Sequence, residues 1–91
     1  MNESEILLDV AVLGEQVDQF CKSDVGKYLL AHCKATRDSG IADLIYADCN
    51  DPKSVWEAQS RIKIAESIES WLKEAIIAGL KARMILEDRE D

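Results

Sequence analysis

The chain has 91 residues, with 18 Asp and Glu against 11 Lys and Arg for a formal charge of −7, and 47% of it is hydrophobic. At this length it is one domain with a thin core, because a chain so small buries only about two thirds of the surface its unfolded form exposes. The acidity argues against a nucleic-acid backbone as main partner, since phosphate binding needs a basic surface, and points to a protein partner, a homo-oligomer, or both.

The charge is unevenly spread. Up to Ser23 five acids (Glu3, Glu5, Asp9, Glu15, Asp18) face only Lys22, whereas from Pro52 to Leu86 six bases outnumber four acids, and Glu87 to Asp91 forms a charged acidic tail. Cys21, Cys33 and Cys49 are odd in number and lack paired spacing, which argues against a disulfide framework. The first apolar run, Ile6 to Leu13, is interrupted by Asp9 and preceded by acids, which suits neither a signal peptide nor a membrane span. A cytoplasmic, reducing environment is the expectation.

Asn2 stands three residues before Glu5, an arrangement like a capping box that opens a first helix. Ile6, Val10, Leu13, Val17 and Phe20 follow at spacings of four and three, the seam of a coiled-coil-like packing, with Leu7, Val12 and Cys21 widening it. That seam is expected to face the core, with Glu5, Asp9, Glu15, Asp18 and Gln19 opposite. Gly14 then allows a neighbour to come close.

Lys22-Ser23-Asp24 punctuates the chain, and Ser23 or Asp24 can cap a second helix from about Val25. Gly26, Leu29, Cys33, Thr36, Gly40 and Leu44 give it a stripe of mostly small residues. Ser39-Gly40 lowers helix propensity by roughly 1 kcal/mol relative to alanine, so a bend or break is expected there.

Asp51-Pro52 is the sharpest local signal. The residue before a proline is pushed out of the helical region, which suits an N-cap, and proline at the first helical position forfeits no hydrogen bond. A long third helix should run from there to Glu87, about 50 Å at 1.5 Å per residue, supported by i,i+4 pairs Glu57→Arg61 and Glu69→Lys73. Ala58, Ile62, Ala65, Ile68, Leu72, Ala75, Ile76, Gly79, Ala82 and Leu86 share its broad core face. Trp56, Trp71, Ala78 and Ile85 fall beyond one edge and Ile77 on the far side, more apolar surface than a small hairpin can cover; these five are the candidate interaction surface.

Candidate chemistry is sparse. His32 beside Cys33 has zinc-ligand residue types, but neighbours on a helix point about 100° apart and no second ligand pair exists. The cysteines are expected to be small, half-buried apolar residues. A nucleophilic cysteine needs a positioned base and an oxyanion site, which His32 alone does not supply. No phosphate loop or dinucleotide fingerprint is present. Lys34 and Arg37, countered by Asp38 and Asp43, are too few for a recognition helix. The expectation is a protein that is not an enzyme, with no catalytic residues, metal or cofactor.

Asp24-Val25-Gly26-Lys27-Tyr28-Leu29, Asp51-Pro52, Gln59, Trp71-Leu72 and the run Ile76 to Ala82 around Gly79 together resemble a family of small helical proteins, mostly uncharacterised, of tailed phages and prophages. The resemblance spans roughly Phe20 to Leu86, and the cysteines and Ser39-Gly40 depart from it. It implies a role in virion assembly or packaging, and no catalytic residues. The combined expectation is an all-α single domain over residues 1–91, of three main helices, that self-associates or binds a protein partner through its long C-terminal helix. The alternative is an acidic accessory protein that inhibits a host enzyme or defence complex, imitating nucleic acid through Glu3, Glu5, Asp9, Glu15 and Asp18.

Overall fold

The structure, a computed structural model, describes residues 2–90; Met1 and Asp91 lie outside it. Three helices, α1 (Glu3–Lys22), α2 (Asp24–Tyr46) and α3 (Pro52–Glu90), make up an all-α fold, with no strand among the described residues. Each boundary has a local cause. The Glu5 amide donates to Asn2 Oδ1 at 2.8 Å and opens α1. The Asp51 carboxylate accepts from the Ser54 hydroxyl at 2.7 Å and, more distantly, from the Ser54 amide, ahead of Pro52 in the first turn of α3.

A single residue, Ser23, separates α1 from α2 and serves both. Its backbone N–H donates to the Gln19 and Phe20 carbonyls, closing α1, while its hydroxyl oxygen accepts from the Gly26 amide at 3.1 Å, opening α2. So tight a joint presses the two helix ends together. A Cβ on Gly26 would lie 1.7 Å from the Phe20 carbonyl oxygen, so only glycine fits there.

Laid end to end, α2 and α1 return along α3, with α2 on its N-terminal half and α1 on its C-terminal half. The ion pairs Arg61–Asp43 and Arg89–Glu3 mark the two ends of this pairing. The molecule is therefore a long hairpin with one arm jointed at Ser23. At 39 residues and ~1.5 Å per residue α3 spans nearly 60 Å, and the molecule measures 62 × 26 × 19 Å. Its radius of gyration is 18.4 Å, against about 12 Å for a compact domain of this length.

The core is made of small residues. Ala11, Cys33, Ala58, Ala65 and Ala82 are buried with all four glycines, and no large side chain among the described residues is fully buried. At the α1–α3 crossing Gly14 meets Gly79 backbone to backbone, and a Cβ on Gly14 would sit 2.7 Å from the Gly79 Cα. Helices that approach so closely interdigitate through alanine and glycine and leave their larger side chains at the edges of the contact.

Several expectations change in this light. α2 runs unbroken through Ser39-Gly40, because Gly40 faces Ala58 and Ile62 of α3 and serves close approach instead of a bend. The α1 seam that enters the core is Leu7, Ala11, Gly14, Cys21, with Val10 and Val17 half-buried at its edge; Ile6, Leu13 and Phe20 are exposed. A one-residue shift turns the helix by ~100°, and contact with Gly79 selects the smaller residues. Asp18, expected on the far face, is half-buried, and Glu15 reaches Arg83 across the hairpin. Glu57→Arg61 and Glu69→Lys73 do not form: Arg61 pairs with Asp43, Glu69 with Arg37 at 2.7 Å, and Glu57 lies 3.9 Å from Lys53. Glu87 to Glu90 continue α3 instead of forming a tail, and Arg89 pairs with Glu3 at 2.8 Å. On α3 the expected core face stands, each of its ten residues being buried or half-buried.

Candidate interaction surface

α3 carries two parallel seams at heptad spacing. The first, Ala58, Ile62, Ala65, Leu72, Ile76, Gly79 and Leu86, is occupied by the chain's own α1 and α2. One residue behind it runs a second: Ile64, Ile68, Trp71, Ala75, Ala78, Ala82 and Ile85, spaced four and three throughout and entirely apolar. Ile64, Trp71, Ala78 and Ile85 are exposed along it; Ile68 and Ala75 are half-buried and Ala82 forms its floor.

α1 repeats the arrangement. Ile6, Val10, Leu13, Val17 and Phe20 form a seam one residue behind the one that touches α3. Because α1 and α3 are antiparallel, stepping back one residue turns them in opposite senses as seen down their common axis. Both displaced seams therefore emerge on the same side of the hairpin. The register set by Gly14 against Gly79 puts Ile6 near Ile85, Leu13 near Ala78 and Phe20 near Trp71, each pair offset along the axis by two residues, about 3 Å, giving one continuous two-helix apolar face.

Charge frames this face without entering it. Arg61–Asp43 and Arg89–Glu3 close its two ends. Arg37–Glu69 and Arg83–Glu15 occupy positions four residues on from the contact seams, which rotates them to the opposite edge of the hairpin. On that opposite edge an open groove of about 640 Å³ lies beside the Ser23 joint, lined by Leu30, Arg37, Glu69, Leu72, Ile76 and Ile77.

All five candidate residues are exposed, but they do not share one place. Trp71, Ala78 and Ile85 lie on the apolar face. Ile77 belongs to the opposite groove. Trp56 stands near the hairpin turn, about 22 Å along α3 from Trp71. Ile64, Leu13, Ile6 and Phe20 join the face although sequence reasoning put them elsewhere or passed over them; the unbroken four-three spacing from Ile64 to Ile85 was the signal that could have found the α3 half.

The groups singled out for chemistry are scattered. Cys21 is half-buried, Cys33 buried and Cys49 exposed, all three free, so Cys49 departs from the half-buried expectation. His32 stacks on Tyr28 with ring centroids 6.3 Å apart. No group of three His, Cys, Asp or Glu side chains among the described residues is placed to hold a metal ion. Hydrogen bonds from Ser54 hold the Asp51 carboxyl below the usual aspartate range, which strengthens it as the α3 cap. No helix is long and apolar enough to cross a membrane. No protein-family model, curated protein or solved structure matches the chain.

Proposed function

We propose that this protein is a non-enzymatic helical interaction protein of the phage or prophage type, cytoplasmic or virion-associated, that acts in assembly or packaging by pairing its apolar face with another helical surface. The observation that carries this reading is the burial pattern: every aromatic side chain of the chain (Phe20, Tyr28, Tyr46, Trp56, Trp71) is exposed while alanine and glycine fill the core. A chain with aromatic anchors outside and small residues inside is built to finish its burial in a complex. The phage assignment rests on the sequence resemblance.

The alternative, an acidic mimic of nucleic acid, has less support. Of its five carboxylates, Glu3 pairs with Arg89, Glu15 with Arg83 and Asp18 with Lys22. Neutralised acids make a poor imitation of a phosphate backbone.

Affinity capture from the native host, with the intact chain and Trp71→Glu side by side, tests the reading. The intact chain should retain a defined partner, or further copies of itself, that Trp71→Glu does not. A chain that captures nothing and remains monomeric would remove it.

A further inference from the structure

We propose that the occupant of the apolar face is a second copy of the chain, docked face to face about a two-fold axis with its α3 antiparallel to the first, forming a four-helix bundle. This rests on the interaction reading above and names the partner. Two observations carry it.

The first is area. The chain exposes 6835 Å², whereas a folded monomer of 10.2 kDa exposes about 5,300 Å². The excess, roughly 1,500 Å² per chain, sets an upper bound of ~3,000 Å² on what a pair conceals, which reaches the range of obligate homodimers.

The second is the polarity of the free α3 seam. Its N-terminal part is large (Ile64, Ile68, Trp71), followed by a small stretch (Ala75, Ala78, Ala82) before the terminal Ile85. Parallel pairing would set Trp71 against Trp71. Antiparallel pairing about a point midway between Trp71 and Ala75 brings Trp71 over Ala75, Ile68 over Ala78 and Ile64 over Ala82 of the other copy, with Ile85 beyond the matched stretch, and a two-fold axis makes each match twice. Large against small is the packing that lets two such seams close without voids. The two-fold also carries the α1 seam of each copy over the N-terminal half of α3 in the other, with Phe20 near the axis.

Sedimentation equilibrium of the full chain across micromolar concentrations tests this, with circular dichroism to follow the fold. The expected mass is twice 10.2 kDa. Trp71→Glu and Leu13→Glu, both exposed in the single chain, should halve it while leaving helix content unchanged, and Ile77→Glu, in the groove on the opposite edge, should remain dimeric. A native chain that sediments as a monomer, or a dimer that survives both face substitutions, overturns the proposal. If the native chain is monomeric yet captures a host protein through Trp71, the second copy is refuted and the interaction reading stands. Loss of both mass and capture removes both.

Discussion

Gly26 is the residue on which the shape of the arm depends. Its amide donates to Ser23 Oγ, and its missing side chain leaves room for the Phe20 carbonyl. Gly26→Ala places a Cβ inside the contact radius of a backbone atom, which cannot swing aside as a side chain could. We expect a loss of about 3 kcal/mol in stability, read as the shift of a urea unfolding midpoint; a midpoint within error of the native one would show that the joint is looser than described. Asp51 offers a second check at this scale. Its folded-state pKa is lowered, first by the Ser54 hydroxyl and then by the Ser54 amide. Its capping contribution is therefore present above the unfolded-state pKa and is lost as pH falls through the lower folded-state value. A carbon-detected NMR titration should find the Asp51 midpoint below the usual aspartate range, and Ser54→Ala should raise it. An unchanged midpoint in that variant would mean the hydroxyl is not the cause.

At the scale of elements, the glycines divide by what they face. A Cβ on Gly14 would press on Gly79 Cα and the Ala75 carbonyl, both backbone; one on Gly40 would press most closely on an Ile62 side-chain carbon. Gly14→Ala should thus cost about 1–3 kcal/mol by forcing α1 from α3. Gly40→Ala can recover most of its cost from the ~1 kcal/mol gain in helix propensity, leaving stability nearly unchanged. Thermal unfolding of the two variants together decides the matter; equal losses would mean that Gly40 is as tightly packed as Gly14. The ion pairs follow a similar ranking. Arg37–Glu69 has both side chains about 70% shielded, while Arg89–Glu3 lies open at the hairpin end. Arg37→Ala should destabilise by about 1 kcal/mol and Arg89→Ala by less than ~0.5 kcal/mol, since exposed pairs are screened; a larger loss from Arg89→Ala would contradict this order. The positions of all three helices were legible, because Asn2, Ser23 and Asp51-Pro52 act within one turn. The inner seam of α1 was not. Its larger stripe, Ile6 to Phe20, has the better hydrophobic repeat, and nothing local says that glycine will meet glycine beside it.

At the scale of the molecule, the slender form governs stability. A rod 62 Å long and 19 Å thick has little interior, and its buried side chains are alanines and one cysteine. Folding that depends on completing the surface should depend on concentration. The thermal midpoint of the native chain is expected to rise with protein concentration, and that of Trp71→Glu to stay flat, in parallel scanning experiments. A native midpoint independent of concentration would point to a hairpin that is stable alone. The excess of apolar surface over what a hairpin can cover was visible in the α3 residues themselves, but its extension onto α1 required the register between the two helices.

Composition, capping and spacing by themselves determined that the chain is all-helical, where each helix starts, and the broad face of α3 that includes its contact seam. These are local properties, set by hydrogen bonds and periodicities within a few residues. The tertiary structure alone decided which of two adjacent seams on α1 lies inside, that α2 continues through Gly40, and that the arginines reach across the hairpin instead of along it. Those outcomes turn on how closely two backbones approach, and that distance is set jointly by residues far apart in the chain, Gly14 and Gly79 above all.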